Sequence, residues 1–275
     1  MNSATPAHSE HERLLDWVAQ ARAGSAAAAR SPFGASVARA GRAVVGAPFS
    51  GSVYDEYLDD GGDPAREPLS LPLDRFNCLS FVESCLAVAR LAASDGAPSW
   101  EAFAREVERV RYRDGARRGY TSRLHYFSEW LSDNARRGIL LDLGPRLGVP
   151  DPGTLDYITT RAERYPALRD PAVHAEMRRH EQRLAAIPRW VIPTRDLPRV
   201  EPLLEEGDVV GLVLAQEGLD VAHAGIVCTG PTGRPTLLSA RQSAGEVLVD
   251  PQPLVEHVRI RDFYTGICVG RPTGR

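Results

Sequence analysis

Apolar positions along the first half of the chain recur with the spacing of helices. Residues 10–22 carry Leu14, Leu15, Trp17 and Val18 in a polar setting, the pattern of a short amphipathic helix. A second helical stretch over about 33–45 stops at "VVGAPFSGS", where Gly46 and Pro48 break it. Leu79, Val82, Leu86 and Ala89 share one face of a helix over about 78–92, and Trp100, Phe103, Val107 and Val110 do so over about 100–111. "RLHYFSEWLSDNARRG", 123–138, predicts a third helix in this group, ended by Gly138. From Gly207 the period shortens. "GDVVGLVL", "VAHAGIVCTG", "PTLLSAR", "GEVLV" and "YTGICVGR" are β-branched segments separated by turn residues, the pattern of consecutive antiparallel strands.

Helices first and strands second predict an α+β fold. Between the two blocks, residues 142–206 are richer in Pro and Arg and include a charged helix near 171–186, which reads as an insertion or cap. "SAAAAR" at 25–30 reads as a link, so residues 1–30 form an N-terminal helical extension and 31–275 a single domain. The acidic stretch 55–68 reads as a Gly/Pro-rich loop.

Composition narrows the picture. The 275 residues carry 33 basic and 36 acidic side chains for a net charge of −3, with Arg far outnumbering Lys. No basic footprint for nucleic acid or a polybasic membrane patch is present. No apolar run of about 18 residues predicts a membrane span. The polar, acidic N-terminus lacks the pattern of a signal peptide, so a cytoplasmic location is expected. Cysteines at 78, 85, 228 and 268 form neither a disulfide framework nor a CxxC pair.

Within "DRFNCLSFVESCLAVARLA" the two cysteines are not equivalent. Asn77 can cap a helix beginning at Cys78, whose sulfur would then lie where the unpaired N–H groups and the macrodipole favour a thiolate. Cys85, two turns further in, gains little from the dipole. The two cannot form a disulfide, because seven residues of helix hold their Cα atoms roughly 10 Å apart. A cysteine nucleophile needs a base. Of the seven histidines, His8 and His11 lie in an N-terminal tail, His174 and His180 on a charged helix expected to be solvated, and His257 in a polar stretch. His125 lies on the third helix. His223 stands in a small apolar strand, where Val221, His223 and Gly225 are expected on one face and Ala222, Ala224 and Ile226 on the other. Ser239, in the next strand, is the candidate to orient the His223 imidazole.

"FNCLSFVE", "SRLHYFSEWLSDN", "EEGDVVGLVLAQEGLDVAHAGIV" and "LLSARQSAGEVLV" followed by "LVEHV" together resemble the DUF1460 family. That family is described as N-acetylmuramoyl-L-alanine amidase-like, within the NlpC/P60 cysteine-peptidase superfamily. The resemblance covers most of residues 40–271 with its motifs in family order. It implies a papain-like core, with a cysteine at a helix start packed on an antiparallel sheet that carries the histidine. It also implies hydrolysis of the amide between muramic acid and L-alanine. Cys78 then matches the nucleophile and His223 the base. Asp220 matches the acid of the strand motif, and Arg123, His125 and Tyr126 match a motif beside the cleft. The chain departs from the family pattern at three places. Asn77 stands where Asp is usual, Ser239 where His is usual, and Phe49 where Tyr follows the proline.

The expected chemistry is acyl transfer through a Cys78 thioester, on a small-molecule or muropeptide substrate, with no metal or organic cofactor required. Water as the second nucleophile makes an amidase. An amine or alcohol makes an acyltransferase or cyclase of small-molecule biosynthesis. A non-catalytic binding module on an amidase fold is the reading from another class. The sequence gives no oligomeric state.

Overall fold

The computed structural model of the chain describes residues 10–23 and 32–274. The link expected at 25–30, and His8, lie outside the described residues. Helices α1 (Glu10–Arg22), α2 (Pro32–Ala43), α4 (Cys78–Ala93) and α5 (Trp100–Arg111) follow the apolar periodicity closely, with a single turn of helix, α3 (Glu56–Asp59), between α2 and α4. α6 runs from Phe127 to Arg136, because residues 120–122 turn as a separate 3₁₀ element before it. After α6 come β1 (Leu140–Asp142), α7 (Gly144–Leu147), β2 (Val149–Pro150), α8 (Pro171–Leu184), β3 (Trp190–Pro193) and α9 (Leu197–Val200). The C-terminal block is β4 (Val209–Leu214), β5 (Val221–Thr229), β6 (Pro235–Arg241), β7 (Glu246–Pro253), α10 (Leu254–Arg259) and β8 (Tyr264–Pro272).

The strands form one antiparallel sheet among the described residues, in the order β2-β3-β8-β4-β5-β6-β7, with β1 also paired to β8. The last strand therefore inserts beside β4 instead of extending the run of hairpins. Both faces are covered. α1, α2, α4 and α5 pack on one face around Leu14, Trp17, Phe81, Leu86 and Phe103, and the helix expected as an extension is thus part of the main core. α9 and α10 cover the other face with Leu197, Val200, Leu254 and Val258. Double coverage explains why β4, "VVGLVL", reads as a continuous apolar run: Val209 and Val213 join the first core, Val210 and Leu212 the second. A third, smaller cluster ties the 142–206 segment to the rest, through Tyr120, Tyr126, Ile158, Leu168 and Met177.

One departure from simple alternation matters for the site. The β4–β5 register shifts between Leu212 and Val213, so Leu212 faces His223 and Val213 faces Val221. Ala222 is the extra residue of this bulge. Val221 consequently packs with Ala224 and Ile226 against the first core, and does not share a face with His223 as strict alternation predicts.

Candidate active site

The N-terminus of α4 is built by a reciprocal cap. Asn77 Oδ1 accepts from the backbone N–H groups of Leu79 (3.1 Å) and Ser80 (2.8 Å), while Ser80 Oγ accepts from the Asn77 N–H (2.9 Å). Cys78 is therefore the first residue of the helix, half-buried, whereas Cys85 is wholly buried in the core. Burial pushes the Cys78 thiol above its ordinary value. The backbone N–H groups of Ala224, Leu79 and Cys78 itself face the sulfur and work in the opposite direction without overturning the result. The helix terminus moderates the cost of a thiolate here but leaves the resting group a thiol. Ala224 immediately follows His223, so the start of α4 is seated on the strand segment that carries the histidine.

His223 Nε2 lies 2.9 Å from Ser239 Oγ across the β5–β6 boundary. Gly225 makes this approach possible, since a Cβ there would lie 2.9 Å from Ser239 Cβ and 2.8 Å from the Leu238 carbonyl oxygen. Burial, and then the positive charges of Arg241 and His257, lower His223 to about 4. At neutral pH the site thus holds a neutral thiol and a neutral imidazole.

Two cavities flank this region. One, of about 190 Å³, is lined by Leu79 of α4, by Arg123, His125 and Tyr126, and by Ile158 and Tyr165 of the 142–206 segment. The inserted segment therefore walls the cavity beside Cys78. The other is a more open groove of about 400 Å³, lined by His223, Arg241, His257 and Tyr264 among others. Leu79, next to Cys78, lines the first cavity, and Tyr264, whose hydroxyl is raised in part by the Cys78 charge, lines the second.

The chain as a whole is similar to known proteins. Residues 44–267 match the model of the AmiA-like family, described as N-acetylmuramoyl-L-alanine amidase-like. The chain belongs to that family. Among solved structures it is similar to an N-acetylmuramoyl-L-alanine amidase from Bacteroides uniformis, at 28% identity and a TM-score of 0.78, over 88% of this chain and 99% of that one. A Bacteroides fragilis protein described as a "putative xylanase" is 33% identical with a TM-score of 0.76, over 84% of this chain and 98% of that one. A Legionella pneumophila protein assigned to the DUF1460 family model is 17% identical with a TM-score of 0.61, over 87% and 89%, a likeness of fold alone. No curated protein matches. Family and neighbours together support a general amidase function, hydrolytic in character, with a small-molecule or muropeptide substrate.

In this AmiA-like chain the remaining residues of the matched motifs do several different jobs. Arg123 is almost wholly buried and pairs with Asp55 (2.6 Å) and Glu67 (3.2 Å), stacked between the rings of Tyr54 and Tyr120. His125 donates from Nε2 to the Tyr120 carbonyl (2.8 Å), and burial first, then Arg123, push it well below its ordinary value. The Tyr126 hydroxyl donates to Glu181 (2.7 Å) and accepts from the Ile158 N–H (3.1 Å), anchoring the inserted segment. Asp220, which matches the acid of the strand motif, lines neither the 190 Å³ cavity nor the 400 Å³ groove. Its two oxygens accept from the backbone N–H groups of Ser128 (2.6 Å) and Val221 (2.7 Å), joining the start of α6 to the start of β5. It is a clamp between the two motifs.

Other groups escaped sequence reasoning. His180 is buried beside Arg113 and Arg183 instead of solvated, and burial, then those arginines, lower it to about 4. His257 is buried with Nδ1 2.7 Å from Asp250 Oδ2, and Asp250 also accepts from Arg241 (2.5 Å). The signal was present: His257 falls between Leu254, Val255 and Val258 on the apolar stripe of α10. Glu83, the one acidic residue of α4, pairs with Arg111 (2.7 Å), and each side chain is only 1% exposed. Among the described residues no cluster of three His, Cys, Asp or Glu side chains is arranged to hold a metal ion, and no helix is long and apolar enough to cross a membrane.

Proposed function

We propose that the chain is a cysteine-dependent amidase acting on an N-acetylmuramoyl-L-alanine-type or similar small amide, with an NlpC/P60-like division of labour between Cys78 and His223. The observation that carries this reading is the seat of the Cys78 sulfur: first turn of α4, facing the backbone N–H of the residue that follows His223. His223 takes the Sγ proton, and the sulfur attacks the amide carbonyl. The N–H of Cys78 is set to meet the developing oxyanion. His223 then returns its proton to the departing nitrogen as the C–N bond breaks. A water molecule, deprotonated by His223, attacks the thioester; the C–S bond breaks, the acid leaves, and His223 returns the proton to Sγ. Ser239 accepts or donates at Nε2 and holds the ring in one orientation through that step.

A neutral imidazole at pH 7 is already the form a general base needs. The raised thiol value means that its proton must be removed during the attack instead of beforehand.

The test is turnover of N-acetylmuramoyl-L-alanine fragments by wild type, Cys78→Ala and His223→Ala, with folding checked by circular dichroism. Each variant should lose at least about 10³-fold, the range of a nucleophile or its base. The wild type should release a primary amine without forming any new reducing end, which separates amide from glycoside cleavage. Wild-type rates in a folded Cys78→Ala protein would sink the reading.

A further inference from the structure

We propose that the 400 Å³ groove beside His223 is a carboxylate-recognition site for the amine half of the scissile amide, with Arg241 as its specificity-determining residue. This rests on the amidase reading above. Three observations carry it.

The first is position. His223 must hand a proton to the departing nitrogen, and His223 lines this groove but not the 190 Å³ cavity that Leu79 lines. The amine fragment therefore leaves along the groove.

The second is charge. Arg241, His257 and Arg261 line the groove, and no acidic side chain does among the described residues. The smaller cavity, by contrast, has Asp55 and Glu83 in its wall.

The third is construction. Arg241 Nη2 donates to Asp250 Oδ2 (2.5 Å), and that carboxylate is only 3% exposed. Asp250 in turn accepts from the Gln252 N–H (2.8 Å) and lies 2.7 Å from His257 Nδ1. The guanidinium is thus fixed from behind by a buried acid. Its Nε and Nη1 find no acceptor among the described residues, and the side chain stays 18% exposed. A fixed, planar donor pair of this kind matches a carboxylate in bidentate geometry. Arg261 is held by its own contact, Nη1 to the His257 carbonyl (2.7 Å), and adds a second positive charge. Phe263, exposed at the rim, offers an apolar surface to a small side chain. The ligand class is an amino acid or short peptide with a free carboxylate, joined through its amino group to the acyl half.

The test reads binding, not turnover. Alanine and alanyl-alanine, and their C-terminal amides, are titrated by NMR into Cys78→Ala protein carrying Arg241, Arg241→Lys or Arg241→Gln. With Arg241 present, at least one acid should bind about tenfold more tightly than its amide. Arg241→Gln should bring that ratio to about one, and Arg241→Lys should keep part of it. The acid-to-amide comparison on the Arg241 protein needs no substitution at that position, so a folding defect in a variant cannot mimic the result. A ratio near one for both pairs, or a ratio that survives Arg241→Gln, overturns the proposal. Discrimination without any turnover by the wild type would instead sink the amidase reading and leave the carboxylate site standing.

Discussion

The two walls of the site use charge in opposite ways. On the helical side, Glu83, Arg111, Arg123, Asp55 and Glu67 are bound to one another, with Tyr54 donating to Glu83 (2.9 Å) and Tyr112 to Glu67 (2.7 Å). On the sheet side, one buried acid, Asp250, supports Arg241 and His257 while their free edges face the groove. A buried network whose charges are paired within the wall fixes geometry. A charge held from behind and open in front recognises something. Density of ionisable groups is therefore a poor guide to where substrate specificity lies, and the direction in which their hydrogen bonds point is a better one.

The helical wall offers the largest test of that contrast. If Glu83 and Arg111 are architecture, breaking the pair must cost stability outright. Glu83→Gln should destabilise by about 3–5 kcal/mol, because Arg111 is left buried with an uncompensated charge and only neutral oxygens, the Gln amide and the Ser70 carbonyl (2.6 Å), to accept from it. Glu83→Leu combined with Arg111→Met should recover most of the loss, since a buried pair replaced by apolar groups of similar size is close to neutral. Urea denaturation of the three proteins decides. A single variant within about 1 kcal/mol of wild type would show that water or another group reaches Arg111, and the wall would no longer differ from the groove.

How far this arrangement could be read in advance differs by element. The helices and the hairpin strands β4 to β7 follow from local periodicity, because each has a core face or two covered faces that the sequence must respect. The placement of β8 next to β4, and the short strands β1, β2 and β3 that pair at that edge, do not, since long-range pairing leaves no local mark on two to four residues. Cys78, His223 and Ser239 stand out as candidates through a cap, a lone imidazole in an apolar strand and motif order. Their actual contacts then differed from expectation where burial intervened: the thiol is raised, not lowered, and a bulge moves Val221 off the histidine's face. Asp220 was legible as part of a motif but not as a backbone clamp, because a carboxylate's partners are invisible when they are N–H groups. His257 and Asp250 stand seven residues apart on different elements, and only the packing of α10 on the sheet brings them together.

On the sheet side the test is of pH. His223 titrates at about 4 in the fold against an ordinary 6.5, so the folded protein binds its proton less readily than the unfolded chain does. Its contribution to stability is present above about pH 6.5 and is lost as the pH falls toward 4. A shift of that size is worth up to about 3 kcal/mol. His180, lowered to about 4 mainly by burial, has the same sign in the same window. Denaturation midpoints between pH 7 and 4 should therefore fall steeply in wild type, and less so in His223→Gln and in His180→Gln. Only His223→Gln should also remove turnover, because His180 is held by Arg113 and Glu176 and lines neither cavity of the site. An unchanged slope in His223→Gln would mean that the imidazole is freely solvated, and with it the sheet wall's claim to a shaped, desolvated base would fail.

The smallest effect concerns the residue at the junction of the two walls. Asn77 caps α4 without charge, and its oxygen holds the Leu79 and Ser80 N–H groups. Asn77→Ala should cost about 1 kcal/mol through loss of the cap. Asn77→Asp keeps the same acceptor geometry and adds a negative charge at the positive end of the helix, which should stabilise by a few tenths of a kcal/mol. That same charge stands next to Cys78 and raises further a thiol that burial has already raised. Iodoacetamide should therefore label Cys78 more slowly in Asn77→Asp than in wild type at every pH below the thiol's own, while the melting temperature stays level or rises. The two readouts move apart only if the sulfur senses the cap directly. Faster labelling in the Asp variant would mean that the cap's effect on the thiol runs through helix geometry and not through charge, and the neutral resting pair inferred for Cys78 and His223 would need another cause.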